Sequence, residues 1–335
     1  MNYGPYGPAY PDATYVTHAY PESLFDTGEV TLNYAVTGSA GRPGLLLVPP
    51  QASSWWSYEP AMKLLADDFE VFAVDLRGQG RSARTPGRYT LDNMGNDLVR
   101  FVSGRIGRPV IVAGNSSGGL IAAWLSAYAP PGMIRGAYYE DAPLFSSETR
   151  PPYGQGMSQT HGPMFALVST YLGDQWSVGD WEGLQQAFPR DLPPALLQGL
   201  AQMGGRNHGA GNHGAGSQSY VTGEEPPQTF KEYDPEWARA FWTGSASATC
   251  DHARMLAAVK VPVLFTHHFR NIDEETGRLQ GAISDLQIRH VRELISQAGQ
   301  RFDYKSLPNA SHNMNQTDPR TYARILRDWT SALDD

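Results

Sequence analysis

Residues 114–118 read Gly-Asn-Ser-Ser-Gly, a G-x-S-x-G pattern that occurs once in the chain. A serine hydroxyl is a poor nucleophile until a base takes its proton. The setting makes Ser116 a candidate. The β-branched run at 110–112 reads as a buried strand, and Leu-Ile-Ala-Ala-Trp-Leu at 120–125 reads as the helix that follows. In a strand–turn–helix context the pattern is a nucleophile elbow. Small residues at 114 and 118 let the chain turn sharply enough to hold Ser116 in a strained backbone conformation. The helix N-terminus then turns its free N–H groups and positive dipole end toward a developing oxyanion.

The base that activates such a serine is expected on a loop late in the chain. His312, in the loop Pro308-Asn309-Ala310-Ser311-His312 after the last predicted strand, fits. The other histidines fit less well. His18 precedes the fold, His161 and His252 fall early and late in an inserted segment, and His290 falls inside a predicted helix. His267 and His268 follow a strand, where a substrate contact and a polar strand end are both open readings. The acid that orients the imidazole has three candidates. Glu140 and Asp141 end the strand after the nucleophile helix, and Asp273 lies in the loop after the strand at 261–266, the more usual station for a triad acid. An oxyanion needs two backbone donors. The N–H of Ser117 is one. In the loop Pro49-Pro50-Gln51-Ala52-Ser53-Ser54, Gln51 is the first residue able to supply the other, because proline has no N–H. The turn at 75–82 reads as structural.

These groups need a scaffold. An apolar–polar alternation from Glu29 to Val36, with Ser23-Leu24-Phe25 before it, predicts an antiparallel edge hairpin. A continuous apolar run at 44–50 predicts a strand buried on both faces, and the mostly apolar runs at 69–74, 110–112, 133–139 and 261–266 read as further strands. Helical stretches alternate with them at 58–65, 91–106 and 284–297, a strand follows at 301–307, and Tyr322, Ile325, Leu326, Trp329 and Leu333 space out a last helix at about 318–333. The alternation implies an α/β chain with a mostly parallel sheet covered by helices on both faces. It breaks between 144 and 255, where helix-length, aromatic-rich segments predict a helical cap domain inserted over the sheet's C-terminal edge. The expected organisation is a loose N-terminal arm at 1–20, a core of 21–143 and 256–335, and a cap of 144–255.

With 335 residues, 41% of them hydrophobic and 18% charged, the chain reads as an ordinary globular protein large enough for a full core. A net charge of −8 argues against nucleic acid or an anionic membrane as partner. No apolar run reaches the ~18 residues that crossing a bilayer requires. The start of the chain lacks a basic, apolar leader, and Cys250 is alone; together these predict a cytoplasmic protein. Cys250 reads as a small buried hydrophobe. A tandem Asn-His-Gly-Ala-Gly repeat at 207–216 brings His208 and His213 together, but it holds no carboxylate, cysteine or third histidine and reads as a low-complexity insertion, not a metal site.

The motifs, in this order, resemble the α/β-hydrolase superfamily over nearly the whole chain after residue 20, and within it the zearalenone-hydrolysing lactonases. Five pieces carry the likeness: Val48-Pro49-Pro50-Gln51, Asp-Leu-Arg-Gly-Gln-Gly-Arg-Ser at 75–82, the elbow at 114–118, Glu140-Asp141-Ala142-Pro143, and Tyr-Asp-Pro-Glu-Trp-Ala-Arg-Ala-Phe at 233–241. The resemblance implies a Ser116–His312–Glu140 triad, since those lactonases place the acid at the end of the strand after the nucleophile. Asp141 and Asp273 are the alternatives. It also implies that Trp237 packs on the substrate ring, with Phe241, Met164 and Phe145 as further contacts. The expected reaction is hydrolysis of a carboxylic ester, most specifically a macrocyclic lactone, on a small apolar substrate and without cofactor or metal. A broader esterase, a carbon–carbon bond hydrolase and a slow-turnover ligand receptor are the competing readings. Dehalogenase and epoxide hydrolase chemistry need a carboxylate where Ser116 stands. A homodimer is left open. The repeat at 207–216 departs from the family pattern.

Overall fold

The computed structural model describes residues 17–172, 179–203 and 226–333, together with a backbone pairing of residues 3–4 with 7–8. The tandem repeat and most of the N-terminal arm lie outside the described residues.

The predicted hairpin forms as β1 (Glu22–Asp26) and β2 (Thr31–Thr37), paired antiparallel at one edge of an eight-stranded sheet. The apolar runs become β3 (Gly44–Val48), β4 (Glu70–Val74), β5 (Val110–Asn115), β6 (Ile134–Glu140) and β7 (Val263–His267). A short antiparallel pair, β8 (Arg270–Ile272) and β9 (Leu279–Gly281), stands apart from the sheet, in a stretch with no strand signal. β10 (Phe302–Ser306) closes the far edge. The sheet order is β10-β7-β6-β5-β3-β4-β2-β1, parallel from β10 to β4.

Alternate residues of each central strand enter separate cores, as the two-residue period of a strand requires. Leu46, Val48, Val112, Tyr139 and Phe265 pack under α2 (Leu91–Phe101) and α3 (Ser117–Tyr128). Leu45, Leu47, Ala113, Tyr138 and Leu264 pack under α1 (Glu59–Leu65) on the other face. Between β6 and β7 lie α4 (Gly162–Tyr171), α5 (Trp181–Asp191), α6 (Pro194–Met203), α7 (Gln228–Lys231), α8 (Glu236–Thr243) and α9 (His252–Ala257), with no strand of the main sheet among the described residues. The two ends of this segment are tied. The Phe145 N–H donates to His252 Nδ1 at 2.9 Å, and the His252 N–H donates to Glu148 Oε1 at 3.0 Å. α10 (Asp285–Gln297), opened by a reciprocal Ser284–Gln287 cap, leads to β10. The chain then forms α11 (Met314–Thr317) and α12 (Pro319–Ser331), and α12 joins α1 on its face of the sheet. Among the described residues no helix is long and apolar enough to cross a membrane.

Candidate active site

β5 delivers Ser116 at the sheet's C-terminal edge with φ 53° and ψ −122°, a conformation disfavoured for any residue with a Cβ. The flanking glycines are required by close approach. A Cβ on Gly114 would lie 2.2 Å from the Gly118 carbonyl oxygen, and one on Gly118 would lie 2.2 Å from the Val48 carbonyl oxygen. The turn is held from both sides, with the Ser116 N–H donating to the Glu140 carbonyl at 2.9 Å and its own carbonyl accepting from the Gly119 N–H at 2.8 Å. Ser117 opens α3, so its N–H has no acceptor within the helix.

His312 stands in the loop after β10, as the sequence predicts. Its N–H donates to the Met203 carbonyl at 2.8 Å, and its own carbonyl accepts from Asn115 Nδ2 at 2.8 Å. The residue before the serine therefore fixes the backbone of the histidine.

The acid beside it is Asp141. His312 Nδ1 lies 2.6 Å from Asp141 Oδ2, and Asp141 Oδ1 accepts from the His268 N–H at 3.0 Å. This corrects the expectation of Glu140. The cause is the pleat of β6. Glu140 lies two residues after Tyr138 and shares its side of the sheet, the side of α1 and α12. Asp141 leaves the strand with φ 47°, its N–H still donating to the Thr266 carbonyl at 2.9 Å, and its carboxylate faces the histidine loop. Asp273 is excluded from this role as well. It sits in the β8–β9 turn, where its Oδ1 accepts from the N–H and hydroxyl of Thr276 at 2.8 and 2.5 Å.

Burial pushes the Asp141 carboxyl up, but the His312 hydrogen bond and the nearby His268 and His312 rings outweigh it and leave the group at about 2. An ionised Asp141 holds the proton of the imidazole on Nδ1. Nε2 is then free to act as the basic nitrogen.

Ser116, Ser117, Gln51 and His312 line one cavity. Its apolar wall comes from Met157, Met164, Phe165, Leu200, Met203 and Phe241, so α4, α6 and α8 close over the elbow. Ser146, Ser147, His161 and Asn313 add polar groups. Burial, reinforced by His312, pushes His161 down to about 4, which keeps that ring neutral near neutral pH. Sequence position gave no reason to place His161 here.

Gln51 is anchored by its side chain, whose Nε2 donates to the Tyr233 hydroxyl at 2.5 Å. The loop beyond it is fixed by buried Asp75, which accepts from Ser54 Oγ and the Trp55 N–H at 2.7 Å each. The turn at 75–82 thus holds the Gln51 loop from behind, in keeping with a structural reading.

The expected substrate contacts divide. Met164 and Phe241 line the cavity. Trp237 does not. It is fully buried, stacks on Phe241 with centroids 5.9 Å apart, and donates its indole N–H to the Arg77 carbonyl at 2.6 Å. One helical turn separates the pair, and only Phe241 reaches the cavity. Phe145 is also absent from the wall. It is fully buried against Tyr153, His252 and His290. His267 binds the Ile283 carbonyl and the Tyr304 hydroxyl, and His268 binds the Ser311 carbonyl and the Thr266 hydroxyl. Both rings are therefore fixed structural groups. Cys250 is buried, with its thiol pushed up to about 12, first by that burial. Among the described residues no group of three or more His, Cys, Asp or Glu side chains could hold a metal ion.

A strained serine on a strand–turn–helix, followed in chain order by an acid and a late histidine, on a mostly parallel sheet, defines a class of hydrolase. The sequence profile of the alpha/beta hydrolase family matches residues 45–325, and the chain belongs to that family. A 102-residue stretch is 29% identical to 3-oxoadipate enol-lactonase 2 of Acinetobacter baylyi, covering 30% of this chain and 38% of that protein. A 125-residue stretch is 30% identical to epoxide hydrolase 4 of Mus musculus, covering 37% of this chain and 34% of that protein. The matched stretches thus span about a third of the curated relatives' length. The crystal structure of an esterase from Rhodococcus sp. superposes with a TM-score of 0.63 at 22% identity, covering 94% of this chain and 99% of that one, a likeness that bears on the fold alone.

Proposed function

We propose that this chain is a serine hydrolase that cleaves a carboxylic ester through an acyl-enzyme on Ser116, and that its substrate is the macrocyclic lactone of zearalenone. The observation that carries the ester reading is the strained Ser116 sharing one largely apolar cavity with His312, whose Nδ1 is held by Asp141. The lactone reading rests on the resemblance carried by the five motifs, and is in keeping with the stretch shared with an enol-lactonase.

In this reading His312 Nε2 takes the Ser116 proton as the serine oxygen attacks the ring carbonyl. The N–H groups of Gln51 and Ser117 hold the oxyanion. The ring oxygen leaves with the proton from His312, and the chain it ends stays tethered through the acyl group. Water activated by His312 then releases a hydroxy acid and restores the serine. With zearalenone the resemblance implies that the opened acid then loses carbon dioxide. An apolar wall with a few polar groups suits a resorcylic ring.

The test is turnover of zearalenone by the parent and by Ser116→Ala, followed as loss of substrate and appearance of the ring-opened acid. The variant should fall by about 10⁶-fold in kcat. Parent protein that hydrolyses p-nitrophenyl acetate but leaves zearalenone intact would overturn the lactone assignment and keep the ester hydrolase. Sustained multiple turnover separates an enzyme from a receptor.

A further inference from the structure

Glu140 is a fully buried acid beside the site that the proposed reaction does not use. Its backbone carbonyl accepts from the Ser116 N–H at 2.9 Å and from Asn115 Nδ2 at 3.3 Å. Its side-chain Oε1 accepts from the Asn315 N–H at 2.9 Å, three residues after His312. Its Oε2 is buried with no hydrogen-bond partner among the described residues. The charged and titratable groups that face the carboxyl are the phenols of Tyr58, Tyr138 and Tyr322 and the neighbouring Asp141, and among the described residues no basic side chain counters them.

We propose that Glu140 stands as a neutral carboxylic acid and is a positioning residue that sets the His312 loop against the serine elbow. A carboxylate in this place would leave a charged oxygen buried without a donor, an arrangement that costs far more than a buried neutral group. A neutral acid accepts the Asn315 N–H through its carbonyl oxygen and carries its proton on the other. Burial, aided by Asp141 and opposed by the Asn315 and Met314 N–H groups, holds the group well above the usual carboxylate range. Asn115 completes the link. Its side-chain amide bridges the carbonyls of Glu140 and His312, so the acid, the elbow and the base loop form one connected unit. Two adjacent acids thereby take opposite tasks. Asp141 carries charge to the imidazole, and Glu140 carries none and holds the loop.

The proposal rests on reading Ser116 and His312 as nucleophile and base, and the test separates the two. The parent, E140Q, E140A and D141N are assayed with p-nitrophenyl acetate. Each is also examined by proton NMR for the downfield His312 Nδ1–H, and the parent and E140Q by infrared spectroscopy at neutral pH. Glutamine keeps the size and the neutral carbonyl, so E140Q should hold kcat within about threefold of the parent and keep the downfield proton. E140A should lower kcat by about 10²-fold with KM within about threefold, and should shift or lose that proton. The infrared difference between parent and E140Q should contain a protonated-carboxyl band. An E140Q as impaired as D141N, an absent band, or an E140A with the proton unmoved would each overturn the proposal. If E140A does not fold, E140Q and the band decide. If the parent cleaves no ester, the functional reading fails, and the band and the downfield proton still decide the role of Glu140.

Discussion

The two sides of the sheet at the end of β6 present the same chemical group in opposite circumstances. On the cavity side, Asp141 is buried among donors. His312 Nδ1 lies 2.6 Å from one oxygen and the His268 N–H 3.0 Å from the other, and the carboxyl is held at about 2. On the rear side, Glu140 is equally buried but meets phenols and the backbone N–H groups of Asn315 and Met314, and its carboxyl is pushed up. Burial alone would raise both. The difference lies in what each side supplies, a hydrogen bond from an imidazole with further rings nearby against backbone N–H groups alone, with no basic side chain beside them among the described residues. Adjacent acids with separated proton affinities are the arrangement from which acid and base roles are assigned.

The comparison can be broken most sharply at Asp141. Asp141→Asn should lower kcat on p-nitrophenyl acetate by about 10⁴-fold, as removing the orienting charge of a triad does. A loss below tenfold would return the orienting role to another acid. A smaller effect is expected in stability. The folded pKa of Asp141 lies below its unfolded value, at about 2 against 3.8. Its contribution is therefore present above pH 3.8 and is lost as pH falls toward 2. The folded pKa of Glu140 lies above the ordinary glutamate value of 4.5. Its contribution is therefore complete below pH 4.5 and is lost as pH rises. Denaturant unfolding of the parent and Glu140→Gln across this range should show the glutamine variant gaining about 1.4 kcal/mol per pH unit on the parent, until the folded carboxyl ionises. A pH-independent difference would mean that Glu140 is ionised in the folded protein. The smallest effect is expected at Asp273, whose carboxylate is bound within its own turn. Asp273→Asn should leave kcat within about twofold in the same assay.

Much of this architecture is legible along the chain. The buried strands are mostly apolar runs, α12 shows its spacing, and the elbow announces itself through two glycines whose close contacts admit no side chain. The β8–β9 pair was not legible, because Arg270-Asn271-Ile272 has neither the length nor the alternation of a strand. Trp237 illustrates another limit. Its motif marks an aromatic helix, but the i and i+4 positions of one face reach different depths, and only Phe241 meets the cavity. His161 has no local signal at all.

The sequence by itself determined the alternation of strands and helices, the single serine elbow and the late histidine, because each is written in spacings of two to a few residues. Only the tertiary structure decided which acid serves His312 and which aromatic faces the cavity. Asp141 and His312 are 171 residues apart. Whether Asp141 or Glu140 meets the ring depends on the pleat of β6, the positive φ that follows it and the path of a loop from the sheet's far edge. No run of neighbouring residues encodes that meeting.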